Sequence, residues 1–199
     1  MVGGGAVAVR KAQTLLAAGA RLVVVVAEHI SDMMTALCTD SNAELIKSKY
    51  SKDYLVGAVL AIAATNNRQL NRRIYKDCQE LEILCNVVDE PELCDFFVPA
   101  VVKRSHLQIA IGTEGDCPAY AGHIKKKLEK LFTDKHGEFL AELEKLREQI
   151  IANVPDVISR KLLLGKLVND ESFEYFTQNG TAAWHKQTDK IIEEHKPKP

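Results

Sequence analysis

Residues 1–29 read MVGGGAVAVRKAQTLLAAGARLVVVVAEH, and the order of small, apolar and acidic residues in this stretch decides the fold. Gly3, Gly5 and Ala8 fit the pattern G-x-G-x-x-A. In that pattern the first glycine makes a tight turn, the second lets backbone approach a pyrophosphate, and the small third residue permits close packing of helix on strand. Glycines alone carry little information, and here the flanks supply the required context. From Val7 to Ala18 the chain is rich in alanine and leucine, with Arg10 and Lys11 on the polar side. Gly19 then predicts a C-terminal cap. RLVVVV, residues 21–26, is a β-branched run of the kind buried on both faces of a parallel sheet. Glu28 falls where such folds place the carboxylate that accepts from a ribose 2'-hydroxyl. A carboxylate there repels a 2'-phosphate, so NAD is expected over NADP. Only Met1 and Val2 precede the glycines. The first strand is therefore expected to be a stub or to begin upstream of this sequence, since a strand usually supplies about five residues.

Working outward, AVLAIAAT (58–65) and LEILCNVVD (81–89) predict two further strands. NNRQLNRRIYKDCQE (66–80) predicts the helix between them, with Leu70, Ile74 and Cys78 on one face. Strand, helix, strand, helix, strand at this spacing implies a parallel sheet with crossover helices. Ligands of such sheets sit beyond the strand C-terminal ends, the expected positions of Glu28, Thr65, Asn66, Asn86 and Asp89. FFVPAVVKR, SH and LQIAIGT (96–113) read as an antiparallel hairpin, Pro99 making its first strand an edge or a bulged one. Beyond Pro118 the chain is expected to be helical. Tyr120, Ile124, Leu128 and Leu131 recur at helical spacing, as do Phe139, Leu143, Leu146 and Ile150, which suits core or a dimer seam. Further short helices are expected from Pro155 to His195, and KPKP (196–199) is expected to fray.

The fold class expected is α/β: a Rossmann-like parallel sheet with a truncated first strand, then a small β-hairpin region, then an α-helical C-terminal region. The boundaries expected are 1–90 for the NAD-binding domain, 91–117 for the hairpin region, which would serve dimerisation, and 118–199 for the helices.

Composition bounds the alternatives. With 199 residues, 46% hydrophobic and 27% charged, the chain matches a globular protein with a sizeable core. A formal charge of -1 removes the overall attraction to polyanions, and no nucleic-acid partner is expected. No apolar run approaches a membrane span and no secretory leader is evident, so a cytoplasmic protein without membrane association is expected. The five cysteines form no C-x-x-C pair, which points to reduced, mostly buried thiols, and Asn179-Gly180-Thr181 reads as a turn. Six histidines without paired spacing give no metal site.

Taken together, VGGGAVAVRKAQTLLAAGARLVVV, AIAATNN, LCNVVDEP and FFVPAVVKRSHLQIAIGTEGDCP resemble the siroheme synthase dehydrogenase family, whose members are precorrin-2 dehydrogenases and, in part, sirohydrochlorin ferrochelatases. The resemblance runs from Met1 to about Leu131, and NVVDEP with the following F-x-x-P segment is its most specific part. It implies a homodimer, a tetrapyrrole substrate bearing eight carboxylates, and oxidation of precorrin-2 to sirohydrochlorin with NAD. By the same resemblance Asp89 is the essential aspartate and general base, and Thr113 is the hydroxyl residue that meets substrate. Phosphate and ribose contacts fall on Ala6, Val7, Ala27 and Glu28, alongside Gly3, Gly5, Ala8 and Thr65. Asn86 and Arg104 are candidate substrate contacts, Arg104 because guanidinium suits carboxylates; Arg68, Arg72 and Arg73 on the helix after Asn67 are further basic groups. Gly112 to Pro118 departs from the family pattern by losing hydroxyls and gaining acids, and His106 replaces a proline of some relatives. Ferrous iron insertion, a regulatory module that binds NAD without turnover, and a dehydrogenase for another substrate are the alternative readings.

Overall fold

Val2 stitches two pairs of parallel strands into one sheet. In the computed structural model, which describes residues 1–194, β1 (Val23–Ala27) pairs with β2 (Ala43–Lys47), Val23 facing Ala43. β3 (Leu60–Ala63) pairs with β4 (Leu84–Val87), Leu60 facing Leu84. Val2 bridges Val26 on one side and Ala63 on the other. Its amide donates to the Ile62 carbonyl (2.9 Å), its carbonyl accepts from the Ala64 amide (2.8 Å), and the Gly3 amide donates to the Val26 carbonyl (2.9 Å). The order across the sheet is therefore β2, β1, the Val2 segment, β3, β4. Val2 satisfies backbone groups that an empty central position would orphan.

α1 (Ala6–Ala17) follows the glycines and stops where expected. Gly19 has φ +91°, and the Ala20 amide returns to the Leu15 carbonyl (3.0 Å), a left-handed cap that glycine adopts without steric cost. α2 (Asp32–Thr39) and α3 (Arg68–Glu80) complete the cover of the sheet. Ala8, Val9, Ala12 and Met34 pack with Val23 and Val25; Ile74 and Cys78 pack with Val2, Ala61, Ala63, Cys85 and Val87. Ile74 and Cys78 are buried as predicted, with Leu70 half-buried beside them. β2 and α2 were not expected from the sequence.

One expected position is corrected. Asn86 lies inside β4, not beyond its end, and is 4% exposed. Its Nδ2 donates to the Phe96 carbonyl (2.9 Å) and lies 3.3 Å from Cys94 Sγ, so it pins the following loop against the strand.

The chain divides into two compact units, the first ending at Val98 and the second beginning at Pro99. In the second, β5 (Ala100–Arg104) and β6 (Leu107–Ile111) form the expected antiparallel hairpin around Ser105 and His106, with Ser105 at φ +54°. α4 (Pro118–Leu131), α5 (Asp134–Asn153), α6 (Val157–Leu167), α7 (Asp170–Asn179) and α8 (Thr181–Glu194) follow. Gly137 of α5 lies against the hairpin, where an added Cβ would stand 2.7 Å from the Arg104 carbonyl oxygen. The helices close around Phe139, Leu146, Ile150, Leu163, Phe176 and Trp184. Gly180 (φ +81°) makes the turn between α7 and α8.

The two predicted stripes fare differently. On α5, Phe139, Leu146 and Ile150 are buried, with Leu143 packed against them. On α4, Tyr120 is 57% and Leu131 63% exposed, so that stripe is not core within this chain. Cys78 and Cys85 are buried, Cys38 and Cys94 half-buried and Cys117 exposed, fewer buried thiols than expected. The run 196–199 lies outside the described residues. Among the described residues no helix is long and apolar enough to cross a membrane.

Candidate functional site

The three glycines serve two ends. Gly3 has φ +123°, and a Cβ there would overlap the Ala64 carbonyl, which is backbone and cannot yield. A Cβ on Gly4 would overlap the His29 carbonyl and crowd the Ala27 side chain. Gly5 is exposed, with no atom within 4 Å of where its Cβ would be. Gly3 and Gly4 thus let the loop close down between the ends of β1 and β3, and Gly5 leaves open space above it.

Gly5 is also the N-cap of α1, and no side chain caps that end. The first four amides of a helix have no intrahelical partner, and their dipoles favour an anion. Ala6 and Val7 are exposed here while Ala8 is fully buried against the sheet. An uncapped helix terminus, an open approach over Gly5 and a buried small residue behind it fit a dinucleotide pyrophosphate. Gly3, Gly5, Ala6, Val7 and Ala8 would hold it. Ala27 is buried beneath the loop and Glu28 is exposed at the end of β1, open to a ribose hydroxyl.

Three residues that sequence reasoning passed over hold this arrangement together. Gly4 shows itself only through the close approach just described. Ser31 donates its hydroxyl (2.9 Å) and its amide (3.1 Å) to the Gly4 carbonyl while its Oγ accepts from the Met34 amide (3.3 Å), so one side chain caps α2 and ties the glycine loop to the end of β1. Asn71, buried in α3, accepts from the Thr65 hydroxyl (2.6 Å) and amide (3.3 Å) and returns its Nδ2 to the Thr65 carbonyl (3.1 Å). Thr65 therefore shapes the loop beside Gly3, its hydroxyl already engaged. The S-D pair at 31–32 ahead of an apolar run is a capping signal that could have revealed Ser31; nothing local distinguishes Asn71.

Beyond β4 the chain turns sharply. Asp89 is exposed and sits in the left-handed region at φ +63°, a conformation that Asp tolerates better than most residues. Its neighbour Glu90 points inward and is 5% exposed. Glu90 Oε2 accepts from Arg72 Nε (2.9 Å), while Oε1 is buried without a hydrogen-bond partner among the described residues. Cys94 Sγ lies 3.3 Å from the Val87 amide, and burial pushes its thiol up from the ordinary range.

In the second unit, Thr113 is half-buried and its carbonyl accepts from the Asp116 amide (2.8 Å). Arg104 donates Nη2 to the Glu129 carbonyl in the last turn of α4 (3.0 Å), and its Nε lies 3.4 Å from Asp134 Oδ1. Its guanidinium thus satisfies a helix C-terminus, an employment the sequence does not announce.

Residues 1–100 match the model of a family described as putative NAD(P)-binding. The chain belongs to this NAD(P)-binding family. As a member of it, the chain is also 38% identical over 161 residues to a siroheme synthase of Psychrobacter cryohalolentis, covering 81% of this chain and 31% of that one. It is 34% identical over 195 residues to a siroheme synthase of Pseudomonas aeruginosa, covering 98% of this chain and 41% of that one. The chain thus spans about a third of the length of the curated relatives it matches. Among solved structures, the protein titled SirC, precorrin-2 dehydrogenase superposes with a TM-score of 0.74 over 97% of this chain and 92% of that one. At 21% identity this likeness shows a shared fold, the α/β arrangement of an NAD(P)-binding sheet followed by helices.

Proposed function

We propose that this chain oxidises precorrin-2 to sirohydrochlorin, with NAD as the hydride acceptor and Asp89 as the proton acceptor. The reaction removes a hydride and a proton from the macrocycle, so a base must stand free beside the coenzyme. Bound in the glycine cradle, NAD would supply the acceptor for the hydride. The observation that carries the reading is Asp89 itself: an exposed carboxylate immediately beyond β4, at the same edge of the sheet as the glycine cradle, in the segment that resembles the dehydrogenase family. Likeness to siroheme synthases over most of this chain supports it.

Within this proposal Gly3, Gly5, Ala6, Val7, Ala8, Ala27, Glu28 and Thr65 form the coenzyme site, with NAD preferred because Glu28 would repel a 2'-phosphate. Asn86 acts through the loop it pins, and Thr113 and Arg104 are proposed substrate contacts. The protein works as a cytoplasmic homodimer, with 91–117 as the dimerisation region between an NAD-binding domain (1–90) and helices (118–199). The apolar stripe of α4 supports this, since Tyr120 and Leu131 are left uncovered. The test is anaerobic mixing of protein, NAD and precorrin-2 while following reduced nicotinamide absorbance. Reduction of one NAD per macrocycle supports the reading, and no reduction sinks it. Ferrous iron added afterwards, with siroheme sought, tests metal insertion.

A further inference from the structure

The exposed face of α3 carries a row of cations. Arg68, Arg72 and Lys76 stand four residues apart, so they share one side of the helix at intervals of about 6 Å. All three are exposed. The acids nearby are already engaged: Asp77 with Arg73 (3.8 Å) and the Tyr50 hydroxyl (2.9 Å), and Glu80 with Lys52 (2.5 Å). Arg73 is further held by the ring of Tyr50, 5.8 Å below its guanidinium. Like charges at this spacing destabilise a helix, so the row works against the element that bears it.

The middle member of the row is fixed in place. Glu90 is nearly fully buried, yet among the described residues its carboxylate makes one hydrogen bond, to Arg72 Nε, and leaves its other oxygen unpartnered. A buried carboxylate left half satisfied is costly and calls for an explanation. What this one achieves is to grip the guanidinium by its inner edge. The Arg72 side chain is still 62% exposed, and with Nε engaged by Glu90 its two terminal nitrogens are the donors left for an oxyanion. A shallow cleft of about 390 Å³ lined by Gln69, Arg72, Arg73, Lys76, Asp77 and Glu80 runs along this side. Because Glu90 follows Asp89 directly, the middle of the row is tied to the residue next to the candidate base.

We propose that Arg68, Arg72 and Lys76 form a docking track for the carboxylate arms of a polycarboxylate macrocycle, with Glu90 as the residue that orients Arg72. This inference rests on the proposed tetrapyrrole substrate. A rigid ring with carboxylates around its rim presents several oxyanions at once, and a row of cations on one helix engages more than one of them. A phosphate-bearing ligand shares the oxyanion chemistry, so the coenzyme is the competing source.

The experiment titrates the whole protein with uroporphyrin, a stable porphyrin with eight carboxylates, by fluorescence at low and moderate salt, and separately with NAD. The variants are Arg68→Glu/Lys76→Glu and the neutral pair Arg68→Gln/Lys76→Gln, with helical content checked by circular dichroism. The track predicts that uroporphyrin binding weakens about tenfold in the charge-reversed variant, less in the neutral one, with the difference shrinking as salt rises. NAD affinity is expected to be unchanged. Equal uroporphyrin binding by all three proteins, no binding by the unaltered protein, or a parallel loss of NAD affinity each overturns the proposal. Should the unaltered protein reduce NAD with precorrin-2 while uroporphyrin binding ignores the variants, the track alone falls and the dehydrogenase reading stands.

Discussion

The Gly4 carbonyl takes two hydrogen bonds from one residue, the hydroxyl and the amide of Ser31. Because the same hydroxyl oxygen caps α2, Ser31→Ala removes a cap and a loop tie together. A loss of about 1–2 kcal/mol in unfolding free energy is expected by urea titration, with NAD binding weakened severalfold.

Gly5→Ala separates holding the coenzyme from holding the fold. The added methyl meets no protein atom and the residue has φ -86°, so stability should stay within about 1 kcal/mol of the original. The methyl instead occupies the approach to the helix terminus, and NAD affinity should fall at least about tenfold. Gly3→Ala is expected to do the reverse, losing the folded protein first because the Ala64 carbonyl cannot move aside.

Asp89→Asn keeps a side chain that tolerates φ +63° and removes the proton acceptor. Turnover of precorrin-2 should drop about 10²-fold or more while NAD titrates as before. Undiminished turnover would remove Asp89 from the chemistry.

Trp184 is the sole tryptophan of the chain, fully buried, with its indole N–H donating to Ser172 Oγ (2.8 Å). Phe139 and Phe176 stand edge-on to it. Trp184→Ala should cost about 3–5 kcal/mol, and intrinsic tryptophan fluorescence of the unaltered protein should report melting of the helical unit specifically.

Glu142 lies between Lys145 (2.8 Å) and His185 (2.7 Å). The hydrogen bond from Lys145 and then that from His185 hold its carboxyl below the usual range. A depressed carboxyl contributes stability above its unfolded value, and that contribution is lost as pH falls through the folded one. Melting temperature should therefore decline in the acid range more steeply for the original protein than for Glu142→Gln, which starts lower at neutral pH.

The sheet and hairpin were legible because their cues are local. RLVVVV, the Gly19 cap and the paired runs around Ser105 and His106 each carry their structure within a few residues. β2 was missed because AELIK has charged residues near both ends, is half-buried, and depends on β1 for its pairing. Asn71 and Glu90 are hidden for another reason: nothing local marks their partners, Thr65 and Arg72, and only burial distinguishes them from ordinary polar side chains. The hydrogen bond from Arg104 to the Glu129 carbonyl of α4 is likewise not marked by any local cue.

The demand for glycine at positions 3 and 4 comes from the carbonyls of Ala64 and His29, the walls of the molecule itself. A descendant that lost Asp89 would still need both to close its sheet. Glycine there attests to a way of joining strands, and a test of the proposed catalysis belongs beyond β4.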